Sequence, residues 1–186
     1  MALNTMALAE TGVKLVDEKP TPAQAKPAQP ELTVKEQADA ISTLRRMHLQ
    51  IPIEGFNITQ IKGSFNELRG GEAHHAADFL APRNTPVHAV TDGPLAKIFE
   101  SKAGGHTLYQ LDPTQKFVFY YAHLEKYADG LTEGQALKRG EVIGYVGTSG
   151  NAPPNTPHLH LSIGVLQEQK SWWKAIDVDP YQIFGP

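Results

Sequence analysis

The chain has 186 residues, 40% hydrophobic and 20% charged, enough to bury one sizeable core with an appendage and unlike a disordered or fibrous protein. Seventeen Lys and Arg against 20 Asp and Glu leave a formal charge of −3, so there is no net basic field to hold a phosphate backbone or an anionic membrane, and no nucleic-acid partner is expected. The absence of cysteine excludes disulfides, thiolate metal sites, a cysteine nucleophile and a lipidated cysteine, so any metal must be held by histidine and carboxylate.

No apolar run reaches the roughly 18 to 20 residues that span a bilayer, and the N-terminus lacks a charged segment followed by an apolar stretch. An exported protein would have lost its signal segment from this chain. Residues 1–31 end in Pro20-Thr21-Pro22-Ala23-Gln24-Ala25-Lys26-Pro27-Ala28-Gln29-Pro30, where repeated prolines fix φ and remove backbone donors; a flexible tail is expected. Thr33 with Glu36 forms a capping box, and Ala38, Ile41, Leu44 and Met47 recur at helical spacing. A helix over 33–48, within a segment 32–50 that packs on the main domain, follows.

From Ile51 the pattern changes to short β-prone runs: Val87–Val90, Leu95–Glu100, Thr107–Leu111, Phe117–Leu124, Glu141–Val146 and His158–Val165. Turn signals separate them at Asp92-Gly93, Gly104-Gly105, Asp112-Pro113, Asp129-Gly130 and Thr148-Ser149-Gly150-Asn151. This spacing predicts a mainly β, antiparallel sheet or sandwich domain over 51–186 rather than βαβ units.

The histidines carry the chemistry. In Pro157-His158-Leu159-His160-Leu161 the alternation has a period of two, so both imidazoles leave one face of a strand while the leucines enter the core. Such a pair serves as a metal ligand with a neighbouring acid/base group, or as the polar face of an amphipathic strand. His74-His75-Ala76-Ala77-Asp78 offers a histidine and a carboxylate four residues apart, a separation that lets a turn aim both at one point. Together the two clusters suit zinc, whose catalytic sites use three nitrogen or oxygen ligands and leave a fourth position to water. No His-Glu-x-x-His occurs, so the helix-borne zinc site with a glutamate base is excluded. His123 ends the most β-prone run and shares strand parity with Tyr121 and Phe119.

His74-x-x-x-Asp78, Ala81-Pro82-x-x-Thr85-Pro86-Val87, Tyr121-Ala122-His123-Leu124, the Gly134–Gly150 run and His158-Leu159-His160 stand in an order and spacing that resemble the lysostaphin-type (LytM-like) zinc metalloendopeptidases. The resemblance covers roughly residues 60–165. It implies an antiparallel β domain with a groove over the metal, one zinc ion held by His74, Asp78 and His160, and catalytic roles for His158 and His123. It also implies hydrolysis of peptide bonds in bacterial cell-wall peptidoglycan, in the periplasm, at the cell envelope or after secretion. Two positions depart from the family pattern: Ala76 where many members have Gly between the ligands, and Asn84 where Gly often precedes Thr-Pro-Val. Two other readings compete. One is a non-catalytic scaffold of the same family that activates another wall hydrolase; the other is a carrier-type β domain, which lacks a modifiable hairpin lysine here and leaves His74-x-x-x-Asp78 unexplained. The motifs leave open which bond is cut and whether a regulatory protein partner gates the groove. Trp172-Trp173 could stack on a sugar or anchor the C-terminus to the core.

Overall fold

In the computed structural model, which describes residues 31–61, 65–69, 71–169 and 171–185, the predicted helix runs from Val34 to Arg46 (α1). The predicted tail, save Glu31, lies outside the described residues. Both halves of the capping box form: the Thr33 hydroxyl accepts from the Glu36 backbone N–H, and the Glu36 carboxylate accepts from that of Thr33. The buried face is set one step from the expected one. Ala40 and Leu44, not Ala38, enter the core, and Ala38 is exposed.

The described strands are β1 (Leu68–Arg69), β2 (Glu72–Ala73), β3 (Ala77–Leu80), β4 (Pro86–His88), β5 (Gly93–Ser101), β6 (Gly105–Leu111), β7 (Phe117–Tyr127), β8 (Ala136–Leu137), β9 (Val142–Val146), β10 (His158–Leu166) and β11 (Ala175–Val178). β1 and β2 make a small hairpin; the others form one antiparallel sheet ordered β11-β10-β7-β6-β5-β8, with β3 on β10 and β9 joining β7 to β4. The mainly β, antiparallel architecture read from the sequence is the one observed. Among the described residues no helix is long and apolar enough to cross a membrane.

Strand alternation builds the core. Leu159, Leu161 and Ile163 of β10 meet Phe79 of β3 and Phe119 and Tyr121 of β7, all fully buried. Each large side chain so buried contributes about 1.5–3 kcal/mol. The C-terminal turn of helix α2 (Tyr181–Phe184) closes the core, with Ile183 buried and the Phe184 ring edge-on to Phe79 at 6.1 Å. Arg45 of α1 donates from Nε to the Gln182 carbonyl at 2.8 Å, tying the two helices together.

Candidate metal centre

Two strand registers and one turn assemble the centre. His160 lies directly opposite Asp78 on β3 and opposite Ala122 on β7, and residues so paired share a face. With Leu159 and Leu161 buried behind, His158 and His160 occupy the other face of β10, as the alternation predicts. His74 arrives from the β2–β3 turn. Its backbone N–H donates to Glu67, that of His75 donates to Phe65, both at 2.8 Å, and His75 takes φ +52°. That reversal turns a four-residue separation into a contact of 3.0 Å between His74 Nε2 and Asp78 Oδ1. Asn84 has φ +68°, a conformation asparagine tolerates better than most residues, which accounts for its standing at a glycine position.

His74 Nε2, Asp78 Oδ1 and His160 Nδ1 form a triangle with edges of 3.0, 3.2 and 3.3 Å, a group that could hold a metal ion. Tetrahedral zinc with bonds of about 2.0–2.1 Å places its ligand atoms about 3.3 Å apart, and two imidazoles with one carboxylate are donors it accepts, so the residues fit the ion. Hydrogen bonding alone satisfies the cluster poorly. His74 Nδ1 is buried with no hydrogen-bond partner among the described residues. Burial pushes the Asp78 carboxyl upward, but hydrogen bonds from His160 and His74 outweigh it and hold the group well below the usual carboxylate range. Burial likewise lowers the His160 imidazole despite the neighbouring Asp78, which keeps a lone pair available. His160 is the most exposed of the three side chains, 18% against 7% and 2%, so solvent reaches the centre past it.

Two further imidazoles flank the triangle. His158 donates from Nδ1 to the Thr156 carbonyl at 2.8 Å and His123 from Nδ1 to the Ser149 carbonyl at 2.9 Å. These acceptors fix the Nδ1–H tautomer in both rings and leave Nε2 as the basic nitrogen. His158 Nε2 is 3.9 Å from Asp78 Oδ1, and the His123 ring lies 4.9 Å from that of His158 and 5.5 Å from that of His160. Burial pushes the His123 pKa down to about 4, aided by the nearby His160 and His158.

The parity expected for His123 does not hold. Tyr121 and Phe119 face the core, and strict alternation would bury His123 beside them. Instead the β6–β7 register shifts between His106 and Leu108, His123 takes φ +60°, and its N–H donates to Gly104. This β-bulge brings the ring to the metal face, at a backbone cost of about 1–2 kcal/mol.

Arg69, which no motif marks, also reaches the centre. From the exposed β1 its Nη1 donates to Asp78 Oδ2 at 2.7 Å and its Nη2 to Glu67 at 3.1 Å, so Asp78 presents only Oδ1 to the triangle. A two-residue strand beside glycines carries no periodic signal. Two other histidines lie outside the triangle: His75 pairs with Asp177 and stacks on Phe65, and His106 packs on Tyr127.

A profile of peptidase family M23 matches residues 72–172, a stretch that holds all five converging side chains. The chain belongs to this family. Its relatives include the L-Ala–D-Glu endopeptidase of Bacillus subtilis, 32% identical over 124 residues, 64% of this chain and 36% of that protein. The peptidoglycan DD-endopeptidase ShyC of Vibrio cholerae is 30% identical over 123 residues, 63% of this chain and 27% of its own length. The chain thus spans about a third or less of these relatives. The lysostaphin catalytic domain of Staphylococcus simulans shares the fold, with a TM-score of 0.54 at 24% identity over 78% of this chain and 98% of that one.

Proposed function

We propose that this M23 domain is a zinc-dependent endopeptidase that hydrolyses peptide bonds of bacterial peptidoglycan, acting in the periplasm or elsewhere in the cell envelope. The observation that carries the reading is the convergence of five side chains: a triangle of donor atoms and two imidazoles whose Nδ1–H groups are tied to carbonyls. His74, Asp78 and His160 would hold one zinc ion. Bound there, zinc would lower the pKa of a water toward about 7 and polarise the scissile carbonyl.

The chain's own residues supply the proton transfers. His158 and His123 present Nε2 lone pairs, and His123 stays neutral at physiological pH because burial holds its pKa near 4. One of them takes a proton from the attacking water as its oxygen bonds to the carbonyl carbon. The same proton goes to the amine nitrogen as the C–N bond breaks. General acid–base help of this kind is typically worth about 10² to 10⁴-fold. A non-catalytic scaffold would have no use for paired imidazoles with tautomers fixed beside an intact ligand set, so catalysis is favoured.

The test is digestion of purified peptidoglycan by the zinc-loaded protein, with a chelated control, read by mass spectrometry of the released fragments. New peptide termini that disappear with chelator and return with zinc support the reading. A zinc-loaded, folded protein that releases nothing overturns it.

A further inference from the structure

The β10–β11 connection carries Trp172 and Trp173, the chain's two tryptophans, which the metal centre does not use. They do not anchor the C-terminus. That role belongs to Val178, Ile183 and Phe184, while Trp173 is 62% exposed. Trp173 leaves most of its indole in water beside the half-buried Trp172, so the two rings present one contiguous aromatic surface.

The two rings stand 81° apart with centroids 5.3 Å from each other, a floor and a wall. Trp172 rests on Tyr109 at 4.4 Å, Tyr109 on Tyr120 at 4.6 Å, and Tyr120 meets the His160 ring at 6.1 Å. A continuous aromatic path therefore leads from the candidate metal centre to the exposed indole. Beneath the rings, Gln167 N–H donates to the Lys174 carbonyl at 2.9 Å, Lys174 N–H to that of Ser171 at 2.8 Å, and Lys174 Nζ pairs with Glu168 at 2.9 Å.

We propose that Trp172 and Trp173 form a carbohydrate subsite that stacks an N-acetylhexosamine ring of the glycan strand while an attached peptide reaches the metal centre. A hexopyranose has a face of C–H groups, which the negative faces of indoles attract, and a rim of hydroxyls, for which the Glu168–Lys174 pair offers an acceptor and a donor. The proposal rests on the peptidase reading for its choice of sugar, because wall peptides are joined to such sugars. An extended peptide of four or five residues spans about 13–18 Å, the scale of the ring path from His160 to Trp172.

Both tryptophans lie in the subsite, so intrinsic tryptophan emission reports on it directly. Titration with chitotetraose should give a saturable emission change in the wild type that weakens about tenfold or more in Trp173→Ala, where Trp172 still reports, and is largely restored in Trp173→Tyr. Zinc content and cleavage of a sugar-free wall peptide should be unchanged in Trp173→Ala, while fragment release from intact peptidoglycan falls about tenfold. No saturable change in the wild type, equal affinity in Trp173→Ala, or an equal fall on both substrates overturns the proposal. So does an emission change that follows protein concentration rather than sugar, which would mark a contact between copies. The titration needs no turnover, so a protein that binds the sugar and cuts nothing would lose the peptidase reading and keep the subsite.

Discussion

Replacing Arg69 with Gln tests how the centre is held. The guanidinium occupies Asp78 Oδ2 at 2.7 Å while Oδ1 faces the imidazoles, so the substitution frees a buried carboxylate to rotate. A hydrogen bond to a charged group contributes about 1.5–3 kcal/mol. Arg69 is 42% exposed, and water replaces part of the interaction, leaving a loss of about 1–2 kcal/mol. Loss of a nearby positive charge acts the other way and favours a bound cation, but that charge is half in solvent and screened. The hydrogen bond to a carboxylate only 7% exposed wins. Zinc binding should weaken about tenfold, the low end of the range for outer partners of metal ligands. Competition against a chromophoric chelator measures it, and Arg69→Lys, which keeps the charge and one donor, should fall between. Unchanged or tighter zinc binding in Arg69→Gln, with an unaltered melting temperature, would refute the clamp.

Three other outcomes are expected. In the metal-free protein His123 takes its proton near pH 4, whereas the unfolded chain takes it near 6.5. The unfolded state binds more protons between those values, so stability is level above that window and falls as pH drops through it, by up to about 3 kcal/mol. Urea midpoints in chelator should show this slope, and His123→Gln should reduce it, leaving the part that the buried His160 supplies; an identical slope would contradict the assignment. Gly150→Ala should lower both melting temperature and turnover, because Gly150 sits at φ +73° and an added Cβ would fall 2.3 Å from the Ala103 carbonyl oxygen, displacing the Ser149 carbonyl that orients His123. A chain begun at Glu31 should keep its melting temperature and peptidase activity, since the Thr33 cap and the described core all follow that residue.

What could be read in advance follows from which forces are periodic. The alternation in His158–Leu161 predicted which side chains enter the core, and the strands from β5 to β7 announced themselves by β-branched and aromatic runs between Gly and Pro turns. β3 stayed hidden because it is four residues long and carries Asp78 among apolar neighbours, so it reads as a motif rather than a strand. The small shift of the buried face of α1 from Ala38 to Ala40 comes from docking against α2, which no local pattern encodes. The orientation of His123 depends on a bulge and a left-handed backbone, and strict parity gives the opposite face. Arg69 acts through a long side chain across nine residues, beyond the reach of periodicity.

The most direct test is zinc stoichiometry, by elemental analysis, in purified His160→Ala and His158→Ala. His160 Nδ1 is an apex of the donor triangle, whereas His158 Nε2 stands outside it at 3.9 Å from Asp78 Oδ1. His160→Ala should lose its zinc, and His158→Ala should keep about one ion per chain while losing turnover. An empty His158→Ala beside a fully loaded His160→Ala would contradict this assignment.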